Sequence, residues 1–299
     1  MANLGISGAF TALVTPFAPD GRSVDFDALE RLIQRQIEGG VTGLVPCGTT
    51  GEAPTLSATE QREVIQAVVQ AAGGKVPIIA GSGSNSTAAS ITASKAAREA
   101  GADGVMIVMP YYNKPSQEGM RQHVVAVARE VDCPIIVYNV PGRSVVDLGL
   151  EATEAICREA SNVVALKDAT GNVLRCQELK RRLGDRLTVM CGDDGLTLAM
   201  MAAGASGVIS VTSNILPDRV SEVTRLVAAG ELDKARAAHY RLLPIHGLMF
   251  AEPSPGPVKA AGAGLGYWNA SVRLPVTAAS QKTADQIAAA LEELGVKAS

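Results

Sequence analysis

Short apolar runs rich in Val, Ile and Leu recur along the chain at 9–15, 43–47, 76–80, 104–109, 134–140, 163–166, 187–191 and 207–212. They are apolar throughout rather than alternating, which is how parallel strands covered on both faces read. Segments with helical spacing lie between them, for example 26–40, 59–74, 87–101 and 118–131. The punctuation agrees. Ser57 and Glu60 form an S-x-x-E capping box, and Gly40, Gly74, Gly101 and Gly184 close helices before the next strand. Strand starts recur roughly every 20–35 residues, the size of one βα unit. Eight such units predict an α/β fold of the (β/α)₈ TIM-barrel type, with an open doubly wound sheet as the alternative.

After residue 215 the pattern turns purely helical, over 218–243, 256–266 and 283–295. The expected organisation is one structural unit. Residues 1–215 supply the barrel strands and most barrel helices, and residues 216–299 the last barrel helix and a C-terminal helical extension. The extension packs on the barrel flank or forms an interface.

Composition narrows the function. The 299 residues are 47% hydrophobic and 19% charged, well inside the globular range. Aromatics make up 3%, and 27 Lys+Arg against 30 Asp+Glu give a formal charge of -3. Neither an aromatic platform nor a basic footprint for nucleic acid is present, so a small-molecule partner is expected. The N-terminal stretch has no basic region ahead of its apolar residues and no small-residue cleavage pattern, and no run reaches the length of a membrane span. Cys47, Cys133, Cys157, Cys176 and Cys191 are odd in number and scattered. Without a C-x-x-C pair they suggest neither disulfides nor a zinc site, and a reducing cytoplasm is the expected compartment.

In a barrel of this kind the chemistry sits at the C-terminal mouth, just after each apolar run. The second run ends in Gly48-Thr49-Thr50-Gly51-Glu52, a turn whose backbone N–H groups suit a carboxylate or phosphate, or which is simply a tight βα connection. Lys167 ends the run Val163–Leu166. Pointing into the mouth from a low-dielectric wall, it would have a lowered pKa and a nucleophilic amine, the requirement for Schiff-base catalysis on a ketone. Alternatively it snorkels to water or pairs with Asp168. Tyr138 ends the fifth run, and Tyr111 and Tyr112 follow the fourth. Phenols there can shuttle protons during carbinolamine formation and dehydration, with Thr49 relaying between Tyr138 and Tyr112, or can be amphipathic rim residues. Arg143 offers a fork for a substrate carboxylate or a surface ion pair.

Other chemistries are poorly supplied. His123, His239 and His246 fall in predicted helices away from the strand ends, and Asp193-Asp194 lacks a third ligand and is expected to cap the following helix. Gly81-Ser82-Gly83-Ser84-Asn85 lacks the last glycine of a dinucleotide fingerprint, and Cys47 and Cys191 have no histidine base near them.

Together, GTTGE at 48–52, PYYNKPSQEG at 110–119, YNVPGR at 138–143, KDATGN at 167–172, GDD at 192–194 and GVISVTSN at 207–214 closely resemble the dihydrodipicolinate synthase and N-acetylneuraminate lyase family, from about residue 7 to 265. The resemblance implies a class I, pyruvate-dependent aldolase-type lyase on a (β/α)₈ barrel, with Lys167 as the Schiff-base lysine and Tyr138, Thr49 and Tyr112 as its proton relay. Tyr112 would enter the site of a neighbouring subunit, in a homo-oligomer expected to be a tetramer built as a dimer of dimers. Thr50, Arg143, Gly192 and Ile209 would bind substrate. Arg143 after YNVPG is similar to the synthases, where that position binds the carboxylate of L-aspartate 4-semialdehyde. The implied reaction joins it to pyruvate to give (4S)-4-hydroxy-2,3,4,5-tetrahydrodipicolinate, the entry step to diaminopimelate and lysine. A related aldolase or dehydratase acting on another aldehyde or sugar acid is the alternative. Neither metal nor organic cofactor is implied, because the imine supplies the electron sink. Feedback-inhibited members of the enterobacterial type carry histidines at the positions of Ala58 and Gln61 and glutamate at that of Ala89, while Asn85 and Tyr111 are retained here. Weak or absent inhibition by lysine is therefore expected.

Overall fold

The computed structural model describes residues 4–296. Its strands are β1 (Gly8–Ala12), β2 (Gly43–Val45), β3 (Ile79–Gly81), β4 (Gly104–Val108), β5 (Ile135–Asn139), β6 (Val163–Asp168), β7 (Thr188–Cys191) and β8 (Gly207–Ser210). The helices are α1 (Phe26–Glu38), α2 (Ala58–Ala72), α3 (Thr87–Glu99), α4 (Gln117–Glu130), α5 (Pro141–Ser144), α6 (Leu150–Glu159), α7 (Val173–Leu183), α8 (Thr197–Ala202), α9 (Pro217–Ala228), α10 (Leu232–Leu248), α11 (Gly256–Gly264) and α12 (Gln281–Glu293).

The strands form one parallel sheet in the order β2-β1-β8-β7-β6-β5-β4-β3, and a parallel bridge between Leu44 and Ile78 joins its two ends. This is a closed barrel, and the open-sheet alternative is excluded. Every predicted run overlaps one strand, but most strands stop short of the run because the apolar residues continue into the buried mouth loops. The capping box forms: Glu60 N–H donates to Ser57 Oγ at 3.2 Å, and Ser57 N–H to the Glu60 carboxylate at 2.8 Å. The stretch 218–243 is not one helix. Gly230, at φ +76°, turns the chain between α9 and α10. α9 completes the barrel ring against β1, and α10 to α12 form the extension.

Two apolar layers follow from the pleat. One set of strand residues, including Phe10, Val45, Ile79, Ile136, Ala165, Met190 and Ile209, fills the barrel lumen, while their neighbours, such as Leu44, Ile135 and Leu166, pack under the helices. Phe10 sets the lumen's spacing. A Cβ on Gly43 would lie 2.1 Å from its ring, so only glycine fits there. The same alternation fixes the site: with Ala165 in the lumen, Lys167 also points inward, one layer nearer the mouth, and so does Tyr138 above Ile136.

Candidate active site

Tyr138 and Lys167 are register partners on adjacent strands. The Lys167 amine lies 4.3 Å from the centre of the Tyr138 ring, and both residues are buried. Burial pulls the Lys167 pKa down from 10.5 to about 8, opposed first by the negative charge of Asp194 and reinforced by the positive charge of Arg143. At neutral pH about one amine in ten is therefore free base. Asp168 is not its partner: it faces the helices, where its carboxylate accepts from Arg175 Nε at 3.1 Å and from Thr170. The strand-end lysine is thus buried rather than reaching to solvent, and the acid next to it in sequence pairs elsewhere.

Burial also pushes the Tyr138 phenol up to about 12, against the opposing pull of Arg143 and of a hydrogen bond from the Thr49 side chain. The phenol keeps its proton at neutral pH and can donate it. Thr49 belongs to the turn after β2, which is held by Gly51 N–H to Gly48 O at 3.1 Å, Glu52 N–H to Thr49 O at 3.1 Å and Thr15 Oγ1 to Gly51 O at 2.7 Å. Among the described residues no acceptor meets the N–H of Thr49 or Thr50, so both remain available to an anion. A cavity of about 460 Å³ opens beside the turn, lined by Thr49, Tyr138, Arg143, Ser82 and Tyr111 among others. That is room for a small ligand. Among the described residues no carboxylate pairs with Arg143, leaving its guanidinium for an incoming one.

The structure therefore brings Lys167, Tyr138, Thr49, Thr50 and Arg143 to one mouth. Ile209 lies lower, among the lumen residues, and Gly192 sits against β6, its N–H donating to Asp168 O at 2.7 Å, where an added Cβ would lie 2.8 Å from that of Ala169. Tyr112 does not join this chain's own site. It is 89% exposed on the loop after β4 and held at φ +72°, a conformation costly for a bulky residue.

Two expectations need correction. His239 and His246 are not remote from the strand ends: His239 Nε2 meets Gly195 O at 3.0 Å after β7, and His246 Nδ1 meets Thr212 Oγ1 at 2.8 Å after β8. Asp193 does cap the next turn through Gly195 N–H at 3.0 Å, but Asp194 instead turns inward and accepts from Ser210 Oγ, from Val211 N–H at 2.8 Å and from Thr212 N–H at 3.3 Å. Asp194 is thus the negative charge acting on Lys167, a role that sequence reasoning missed although the residue lies after a strand and within the GDD motif at 192–194.

Among the described residues no group of three or more His, Cys, Asp or Glu side chains could hold a metal ion, and no helix is long and apolar enough to cross a membrane. All five cysteines are free and buried, and burial pushes the Cys47 thiol up to about 12, which leaves it protonated.

Comparisons with known proteins agree with this geometry. The model of the dihydrodipicolinate synthetase family matches residues 5–294. The 4-hydroxy-tetrahydrodipicolinate synthase of Sorangium cellulosum is 64% identical over 98% of both chains. The crystal structure of dihydrodipicolinate synthase from Aquifex aeolicus superposes with a TM-score of 0.95 at 40% identity, covering 98% of this chain and 99% of that one. The chloride-inhibited dihydrodipicolinate synthase from Acinetobacter baumannii complexed with pyruvate does so with a TM-score of 0.95 at 41% identity, covering 97% and 99%. With a lysine at the end of the sixth strand, a tyrosine beside it and a match over nearly its whole length, the chain belongs to the dihydrodipicolinate synthetase family.

Proposed function

We propose that the chain condenses pyruvate with L-aspartate 4-semialdehyde to (4S)-4-hydroxy-2,3,4,5-tetrahydrodipicolinate through an imine on Lys167. The observation that carries this reading is the Lys167 amine, buried in the mouth with its pKa lowered to about 8 beside a protonated phenol. The relative complexed with pyruvate supports the choice of the first substrate.

Pyruvate's carboxylate rests on the free N–H groups of Thr49 and Thr50, which orients its ketone carbon toward Lys167. The neutral amine adds to that carbon, and the oxygen takes a proton relayed through Tyr138 and Thr49 to give a carbinolamine. Loss of water forms the imine, and loss of a C3 proton forms the enamine. The enamine carbon attacks the aldehyde of the second substrate, whose carboxylate meets Arg143. The substrate's own amine then adds to the imine carbon and expels Lys167, closing the ring. The imine nitrogen is the electron sink throughout, so the reaction calls on neither metal nor organic cofactor.

We propose that Tyr112, exposed on the loop after β4 at φ +72°, completes the relay in a neighbouring copy, in a homotetramer built as a dimer of dimers. Borohydride reduction with pyruvate followed by mass spectrometry should find a reduced pyruvate adduct on Lys167. Its absence would overturn the mechanism. Coupled assays with aspartate semialdehyde and with aldonic acids separate this reaction from a related aldolase or dehydratase. Arg143→Ala should raise KM for the semialdehyde while leaving adduct formation with pyruvate intact.

A further inference from the structure

The turn that presents Thr49 and Thr50 is bracketed by two non-glycine residues in the left-handed region, Cys47 at φ +54° and Glu52 at φ +55°. Such backbone persists only where the surroundings over-determine it. At the Cys47 end the turn hangs from β2. At the Glu52 end the side chain turns away from the cavity and into the protein, where it is gripped from the far end of the chain.

Lys259 Nζ, on α11, lies 2.5 Å from Glu52 Oε1, and both side chains are fully buried. The same amine donates to Ser271 O at 2.8 Å and sits 3.9 Å above the Phe17 ring. The backbone N–H of Arg273 donates to Glu52 Oε2 at 2.8 Å. The Arg273 guanidinium lies over the same ring at 4.3 Å, reaches Gly21 O and Thr55 O at 2.9 Å each, and pairs with Glu60 at 2.6 Å. Both carboxylate oxygens of Glu52 are thus held, from two segments of the C-terminal extension. Burying an ion pair contributes little stability over a well-packed apolar pair of the same size. What it does supply is direction: the Arg273 N–H fixes one carboxylate oxygen by a hydrogen bond, and the Lys259 ammonium draws the other as an ion pair without hydrogen-bond geometry.

We propose that Glu52, Lys259 and Arg273 form a clamp through which the C-terminal extension holds the Thr49–Thr50 turn in its anion-binding shape. None of the three lines the cavity, so they are positioning residues. The inference rests on the reading that pyruvate's carboxylate binds this turn.

The test uses the full chain carrying Glu52→Gln with Lys259→Met, which removes both buried charges while keeping their volume. The readout is the pyruvate concentration that half-saturates borohydride-trapped adduct on Lys167, with the semialdehyde KM alongside. The clamp predicts a rise of about tenfold in half-saturating pyruvate, with the semialdehyde KM within about twofold of the parent's. A purely structural pair would change the melting temperature and leave the pyruvate titration where it was. Arg273→Gln is the second variant, on which the outcome rests should the first fail to fold. It keeps the backbone N–H to Glu52 but loosens the segment between α11 and α12 that carries it, and about a threefold rise is expected. A parent that forms no adduct overturns the imine reading and the clamp with it. A parent that does, with folded variants titrating like it, overturns the clamp alone.

Discussion

Replacing Lys167 with methionine should abolish catalysis and make the protein more stable. The methionine matches the lysine stem in length and volume, so packing is kept and the charge is removed. The magnitude follows from linkage. The folded-state pKa of about 8 lies below the unfolded value near 10.5, so between these values the unfolded chain holds a proton that the folded chain has lost. Stability therefore rises with pH across that window. Below pH 8 the full penalty for the buried ammonium applies, about 3 kcal/mol at pH 7, and above about 10.5 it vanishes. The variant should thus melt about 6 °C higher than the parent at pH 7, and the gap should close as pH rises from 8 to 10.5. Thermal melts of both proteins, freed of pyruvate, at several pH values measure this directly. A variant less stable than the parent at pH 7, or a gap that does not change with pH, would refute the argument that burial without a full counter-charge sets the reactivity of this amine.

Three further outcomes follow from the same site. The rate of imine trapping should climb about tenfold per pH unit below pH 8 and level off above it, with the rate at pH 7 near one-tenth of the plateau; a midpoint near 10 would contradict the buried setting. Tyr138→Phe should lower kcat by about 10²–10⁴ while borohydride still traps pyruvate slowly on Lys167, since the amine keeps its place when the phenol's proton is gone; steady-state and single-turnover rates check it. Lysine should inhibit weakly or not at all: Ala58 and Ala89 offer no polar group, and the Gln61 amide is occupied by Ala53 O at 3.0 Å and Leu56 O at 3.3 Å, so the effector's ammonium meets no anion. A dose-response with strong inhibition at sub-millimolar lysine would refute it.

The barrel was legible because parallel strands buried on both faces must be apolar along their whole length, and helices between them carry their caps in plain sequence. Lys167 was legible for the related reason that a charge closing such a run has few places to go. Its direction became certain only with the pleat, which puts it in the lumen with Ala165 and sends Asp168 to Arg175. Where the reading stopped, the partners were far apart in sequence. Asp194 owes its role to Ser210, Val211 and Thr212 at the end of the next strand, and His246 meets Thr212 only because α10 packs beside the turns that follow β7 and β8. Glu52 was read only as part of the turn at 48–52 and Lys259 was not singled out, because no local pattern marks a pair that closes over about 200 residues. The break at Gly230 was written in the sequence, but amphipathic spacing on both sides concealed it.

The grip on Glu52 also has a temporal side. A ribosome delivers the turn at 48–52 early and Lys259 and Arg273, 221 residues beyond Glu52 in the latter case, near the end. For about the third of its synthesis between residues 167 and 259 the chain already carries Thr49, Tyr138 and Lys167 yet lacks the groups that hold the turn in shape. On the clamp reading, full affinity for a keto acid is acquired only when Lys259 and Arg273 join a barrel whose last strand ended at Ser210. A nascent chain stalled ahead of residue 259 should need about tenfold more pyruvate than the completed protein to half-saturate borohydride-trapped adduct on Lys167.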